Sequence, residues 1–199
     1  MIMGVNIFLQ KVVTRHTSLQ NRQRSQDLRP ILSEIMGYNK TNVELYNFKY
    51  GHKMEIKGWE MYCKRMIESG HVNMEVALCG LYIDKSEVYL GASPDLLASC
   101  DCHGQGLVEF KSPVVKDTII DDTFCHNLPY LDDQLKLKQT HDYYYQCQGQ
   151  MALTGRKWCD FVIVLPTNIY VEQITFDEIF WLETKPKLSA FLKKMSFMK

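Results

Sequence analysis

The order of segments along this chain predicts an α/β (α+β) fold, with a central mixed β-sheet flanked by α-helices. Two observations carry that prediction. Stretches with apolar residues three or four apart alternate with short apolar runs bounded by turn residues. They follow one another as helix, three strands, helix, two strands, helix, an order that places helices against a sheet. The size agrees: 199 residues, 46% hydrophobic and 23% charged, are enough for one well-buried core.

The first 41 residues read as a basic N-terminal helical arm, complete or truncated, with a helix over Leu28–Gly37. Residues 42–199 read as the main domain. Its first helix spans Asn42–Ser69, with Leu45, Phe48, Ile56, Trp59, Tyr62, Cys63 and Met66 on one apolar face. Gly51 and Gly58 weaken that helix and suggest a bend near Gly51. Val76–Ile83, Val88–Ala92 and Leu107–Phe110 predict a three-stranded meander, with turns at Asp84–Glu87 and Ser99–Gly106. Pro113–Leu135, rich in aspartate, reads as a long surface loop. A helix over Gln139–Thr154 closes at Gly155. Trp158–Leu165 is a buried strand ended by Pro166, and Tyr170–Phe176 alternates beside it. Phe180–Lys194 forms the last helix, entered or interrupted at Pro186.

Composition excludes several classes. No run approaches the roughly 20 apolar residues of a membrane span, and apolar Met1–Leu9 lacks the basic start and small-residue cleavage site of a signal peptide. Seven scattered cysteines do not make a disulfide framework. The chain is therefore expected inside the cell, nuclear or cytoplasmic, and not secreted. Net charge is zero, which argues against a general nucleic-acid binder, yet the charge is uneven. Residues 1–53 carry eight lysines and arginines against three acids, whereas Asp117–Asp133 holds five aspartates and no lysine or arginine. One end can attract phosphate and the other repel it; two solvated surfaces explain the same numbers.

The chemistry lies in Gly91-Ala-Ser-Pro-Asp95 followed by Gly106-Leu-Val-Glu109-Phe-Lys111. Side chains alternate along a strand, so Glu109 and Lys111 share a face while Val108 and Phe110 point into the core. A hairpin through Ser99–Gly106 brings Asp95 beside Glu109. Two carboxylates on adjacent strands make a hard oxygen site for Mg²⁺ or Mn²⁺, and a neighbouring lysine can orient water and offset developing charge. Alone, an acid-x-lysine triplet is weak, because surface ion pairs recur by chance.

Several segments together resemble one family. GASPD and GLVEFKSP resemble the hairpin of the YqaJ-like viral recombinases, relatives of lambda-type phage exonucleases in the PD-(D/E)XK nuclease superfamily. Gly51-His-Lys-Met-Glu55 resembles that family's helix motif. Tyr143-Tyr-Tyr-Gln146-Cys-Gln148-Gly-Gln150 resembles its Gln-x-Gln helix, and Thr154-Gly155 with Cys159-Asp160-Phe161 resembles the strand that follows. The match runs from about Gly51 to Phe176.

The resemblance implies a restriction-endonuclease-like core over residues 42–199 and a Mg²⁺-dependent deoxyribonuclease, with Mn²⁺ as the alternative ion. It implies a 5′-to-3′ exonuclease on linear double-stranded DNA ends, used in recombination or repair. Metal ligands would be Asp95, Glu109, the Phe110 backbone carbonyl and Glu55. Lys111 would be the catalytic lysine, with Gln148 near the scissile phosphate. DNA contacts would come from Ser93, Gln146, Tyr144 and Arg15. A homo-oligomeric ring or a single-strand annealing partner is also implied, and no membrane. Gln146 and Gln150 share a helix face while Gln148 lies about 200° away from Gln146, so the three cannot address one site.

Two departures qualify the match. The family carries glycine after the Ser-Pro-Asp aspartate, where this chain has Leu96, and glycine allows angles that leucine avoids. The earlier arginine block is missing or displaced to Val12–Arg15. The alternative reading is a catalytically impaired DNA-end-binding or recombination module of viral or transposon origin. A third is a zinc-stabilised interaction protein resting on Cys100, Cys102 and His103, with Cys125 and His126. One residue between cysteines is tighter than the usual two to four, so free loop thiols are the simpler expectation.

Overall fold

The computed structural model describes residues 42–88, 90–114 and 124–196. The arm, its expected helix and Arg15 therefore lie outside the described residues.

Helix α1 (Asn42–Glu68) leads to β1 (Glu75–Leu78), then to the short strands β2 (Tyr82–Ile83) and β3 (Gly91–Ala92). Strands β4 (Leu96–Cys100) and β5 (Gly104–Lys111) form the central hairpin. A single 3₁₀ turn at Phe124–Asn127 precedes α2 (Asp142–Thr154), β6 (Trp158–Val164), β7 (Ile169–Thr175) and α3 (Glu178–Ser196). The main sheet is ordered β1-β4-β5-β6-β7, and a separate two-stranded sheet joins β2 to β3. Only β5 and β6 run parallel, because the chain between them crosses over through α2; the other pairs of the main sheet are antiparallel.

The two middle strands are covered on both faces, and alternation sorts their side chains into two cores. Val108, Phe110, Val162 and Val164 pack against Met54, Tyr62 and Met66 of α1. Leu107, Cys159, Phe161 and Ile163 pack against Cys147 and Met151 of α2. Helix α3 brings Trp181 and Leu188 against Leu90 and Ala92. Tyr62 also donates a 2.6 Å hydrogen bond to the buried Asp160 carboxylate of β6, tying α1 to the sheet by a polar bond inside the apolar layer.

The face that α1 buries includes the expected Tyr62 and Met66, with Trp59 packed beside them, but it differs from the expected one nearer the helix start. Ile56 is 53% exposed, and the buried row is Met54, Gly58, Tyr62 and Met66, four residues apart. Gly58 is where the helix comes closest to the sheet: a Cβ there would lie 2.5 Å from Val164 Cγ2 and 3.1 Å from Phe110 Cδ1. Its lack of a side chain is thus a packing requirement, and α1 runs unbroken through Gly51 as well.

The meander is also different. Val76–Ile83 divides between two sheets, and the middle partner of the hairpin is β4, whose residues had read partly as turn. In place of one open loop over Pro113–Leu135, Cys125, Leu128, Tyr130 and Leu131 are buried in the α2-side core. Helix α2 ends at Gly155 as expected: its φ of 71° is left-handed, and its N–H caps the Met151 carbonyl. Helix α3 neither starts nor stops at Pro186 but carries it inside. The carbonyl that Pro186 leaves without an N–H donor belongs to Leu182, a residue 65% exposed, so water can satisfy it.

Gly58→Ala is expected to destabilise the fold by about 1–3 kcal/mol through overpacking. Gly51→Ala meets nothing within 4 Å and should be neutral or stabilising by about 1 kcal/mol. Urea denaturation of the two variants separates packing from helix propensity; equal effects would refute the close-approach role of Gly58.

Candidate active site

The hairpin register decides the site. Leu96 lies opposite Val108, so Asp95, one residue before β4, comes level with Glu109. Asp95 Oδ2 accepts the Phe110 N–H at 2.7 Å, which clamps the aspartate to the strand bearing Glu109 and Lys111. Leu96 is buried and extended within β4, and the positive-φ residues other than glycine among those described are Asn73 and Leu135. The backbone here therefore does not call for glycine, and the departure at Leu96 does not misplace Asp95.

Glu109 is only 2% exposed. Its Oε1 accepts Lys111 Nζ at 2.6 Å and Gln146 Nε2 at 2.7 Å, and its Oε2 accepts Gln150 Nε2 at 2.8 Å. Three donors thus occupy three of roughly four lone-pair positions on this carboxylate. Lys111 Nζ also lies 4.6 Å from the centroid of the Tyr143 ring, a cation–π contact. Tyr143 packs in turn against Tyr130 and Phe161.

Electrostatics follow from the burial. Desolvation raises the Asp95 pKa well above the ordinary carboxylate value, with the Glu109 and Glu55 charges adding to it and Lys111 opposing it. For Lys111, burial acts to lower the pKa, but the charges of Glu109, Tyr143 and Asp95 outweigh it and hold the ammonium above the usual lysine range. Glu55 stands on α1 beside this group, its side chain 40% exposed and 3.6 Å from His52 Nδ1.

The structure thus brings together Asp95, Glu109, Lys111 and Glu55, with the Phe110 carbonyl on the strand between the acid and the lysine. Ser93 is buried two residues before Asp95. Gln146 faces Glu109 and donates to its carboxylate. Gln148 does not join them: its Nε2 donates to the Thr175 carbonyl at 2.9 Å and its Oε1 accepts the Asp177 N–H at 2.8 Å. It ties α2 to the start of α3. Tyr144 turns the same way, buried with its ring 5.1 Å from Phe180. The residues that sequence reading passed over at the site are Gln150 and Tyr143. Helical spacing was the available signal for both: Gln150 lies four residues after Gln146, and Tyr143 lies three before it, on the same face.

The donor set fits a hard divalent cation. Two carboxylates, a carbonyl and a third acid nearby are all oxygen. Gln146 Oε1 is buried there with no hydrogen-bond partner among the described residues, as a polar atom awaiting water or an ion would be.

A mixed sheet that places two acids and a lysine on one hairpin, with a helix laid across them, defines the restriction-endonuclease-like fold of nucleases. The crystal structure of LHK-Exo in complex with dAMP is similar over 98% of this chain and 93% of that one, with TM-score 0.64 and 23% identity. The crystal structure of the alkaline exonuclease LHK-Exo from Laribacter hongkongensis matches with TM-score 0.62 and 25% identity, over 96% of this chain and 86% of that one. No curated protein matches by sequence. Residues 11–157 match the YqaJ-like viral recombinase domain, and the chain belongs to that family. No described helix is long and apolar enough to cross a membrane.

Removing the strained acid should stabilise the chelated protein: Asp95→Asn is expected to gain about 1–2 kcal/mol at neutral and alkaline pH. The folded-state pKa of Asp95 is raised, so wild type loses stability as pH climbs from about 4, its unfolded value, through the folded value. Well below pH ~4 the carboxyl is protonated in both states and the gain should vanish. Urea denaturation at two pH values in chelator reads this. A gain independent of pH would show that charge is not its cause.

Proposed function

We propose that this chain is a Mg²⁺-dependent deoxyribonuclease, a 5′-to-3′ exonuclease acting on the ends of linear duplex DNA in recombination or repair. The observation that carries the reading is the convergence of Asp95, Glu109 and Lys111, held by Gln146 and Gln150, in a chain of this family. The similar solved structures are of an exonuclease, one of them with dAMP, which supports DNA as the substrate.

Asp95, Glu109 and the Phe110 carbonyl would hold Mg²⁺, or Mn²⁺, and Glu55 would reach its water shell from α1. When bound, such an ion lowers the pKa of water and polarises a phosphoryl oxygen. The chain supplies the rest. Lys111 is fixed on two sides, by the Glu109 carboxylate and the Tyr143 ring, and its Nζ can orient the attacking water and offset charge on the pentacovalent phosphorus. Gln146 and Gln150 hold the Glu109 carboxylate in place from α2. Ser93, two residues before Asp95, and Gln146, bonded to Glu109, would contact the DNA. Arg15 and the basic arm would add attraction for the DNA end.

The decisive assay incubates purified chain with linear 5′-phosphorylated duplex and with closed circular DNA, in Mg²⁺ and in chelator. Mg²⁺-dependent loss of the linear substrate alone is expected, slowed about 10²–10³-fold by Lys111→Ala. Cleavage of both substrates would overturn the exonuclease mode and leave an endonuclease. No cleavage by folded protein would sink the nuclease reading in favour of an impaired DNA-end-binding module.

A further inference from the structure

At the opposite end of the β4–β5 hairpin from Asp95 and Glu109, four soft ligands meet. His71 comes from the turn after α1, Cys100 ends β4, and Cys102 and His103 form the tip of the hairpin. One donor atom from each lies within 4.8 Å of all the others. Cys102 Sγ is 3.4 Å from His71 Nδ1, 3.2 Å from Cys100 Sγ and 3.1 Å from His103 Nδ1, and Cys100 Sγ is 3.5 Å from His103 Nδ1. Zinc bonds of about 2.0–2.3 Å in a tetrahedron place donors roughly 3.3–3.8 Å apart. Two of these edges, 3.4 and 3.5 Å, fall within that range, and the other two, 3.1 and 3.2 Å, lie just below it.

We propose that His71, Cys100, Cys102 and His103 form a structural Zn²⁺ site. Two thiolates and two imidazoles are the soft and borderline donors that Zn²⁺ takes, whereas the oxygen set around Asp95 and Glu109 suits Mg²⁺. With four protein ligands no position is left for substrate, which makes the site structural and not catalytic. The frame is built independently of any ion. Asp101 N–H donates to the Val72 carbonyl at 3.1 Å, and Asn73 Nδ2 donates to Asp101 Oδ2 at 2.7 Å, so the hairpin tip is docked on the turn that carries His71. Trp158 Nε1 fixes the His103 carbonyl at 2.9 Å. The expectation of free loop thiols rested on the tight spacing of Cys100 and Cys102, and the further ligands weighed there, Cys125 and His126, are not part of this cluster. The fourth ligand lies 29 residues before Cys100 in the chain and becomes visible only when β1 pairs with β4.

The ion would pin the tip of the hairpin to the end of α1. All seven cysteines are free of disulfides, so both thiols are available. This assignment does not depend on the nuclease reading.

Zinc content of the full chain, purified under reducing conditions, tests it. About one zinc per chain is expected by elemental analysis after exposure to equimolar Zn²⁺ and gel filtration. Co²⁺ substitution should give the visible bands of a tetrahedral thiolate complex. Cys102→Ser and, as a milder change in the turn, His71→Gln should each cut zinc retention at least tenfold while circular dichroism shows an intact fold. Cys79→Ser, outside the cluster, should retain it. Folded wild type without zinc, zinc indifferent to both cluster variants, or a Cys100–Cys102 disulfide in the reduced preparation would each overturn the site.

Discussion

Everything near the site depends on the burial of one carboxylate. Glu109 sits in the middle of the sheet at 2% exposure, where an unpaired charge would cost several kcal/mol. Lys111, Gln146 and Gln150 offset that cost, and each fixes part of the architecture. The lysine must follow two residues later on the same strand to reach the same face. The glutamines must stand one helical turn apart, so α2 is committed to lie with that face over β5. The crossover through α2 is then what allows β6 to run parallel to β5. A neutral residue at position 109 would leave both amides and the ammonium without their acceptor.

Asp95 adds a second charge where the fold has already spent its donors. Its Oδ2 has the Phe110 N–H, and Lys111 is the nearby cation, already paired with Glu109 at 2.6 Å. The result is the raised Asp95 pKa, caused first by burial away from water and then by the charge of Glu109. Local rules of stability are broken there, and such breaks concentrate where function needs them. A divalent cation held by the acids, as the proposed nuclease site requires, would resolve that conflict.

Much of the fold was legible because its signals are long. Helix α1, helix α2 with its Gly155 cap, β6 and β7 all lie within a few residues of where periodicity puts them. The failures share a cause. Strand β4 is five residues of mixed polarity ending in a cysteine, and only its pairing on both sides makes it a strand. Ile56 and Met54 both fit an apolar helix face, and the choice between them depends on Gly58 approaching Val164, which no window of sequence contains. At the site, the motif supplied Asp95, Glu109 and Lys111 together. Helical geometry alone separated Gln146 and Gln150 from Gln148; the resemblance pointed to Gln148, which the fold uses to join α2 to α3.

The hairpin also explains why two chemically different clusters occur so close in sequence. Strand β4 runs from Leu96 beside the acids to Cys100 at the tip, about 14 Å in extended chain. Slipping its register by one residue would flip every side chain to the other face and separate Asp95 from Glu109. Five register pairs and the Asp95 clamp resist such a slip from one end. Anchoring of Asp101 by Val72 and Asn73, with the cysteine–histidine cluster around it, resists it from the other. A tether at the tip acts on the site through register alone. Loosening it should disturb the spacing of Asp95 and Glu109 while leaving the contacts of Lys111 with Glu109 and Tyr143, which belong to β5 and α2, in place.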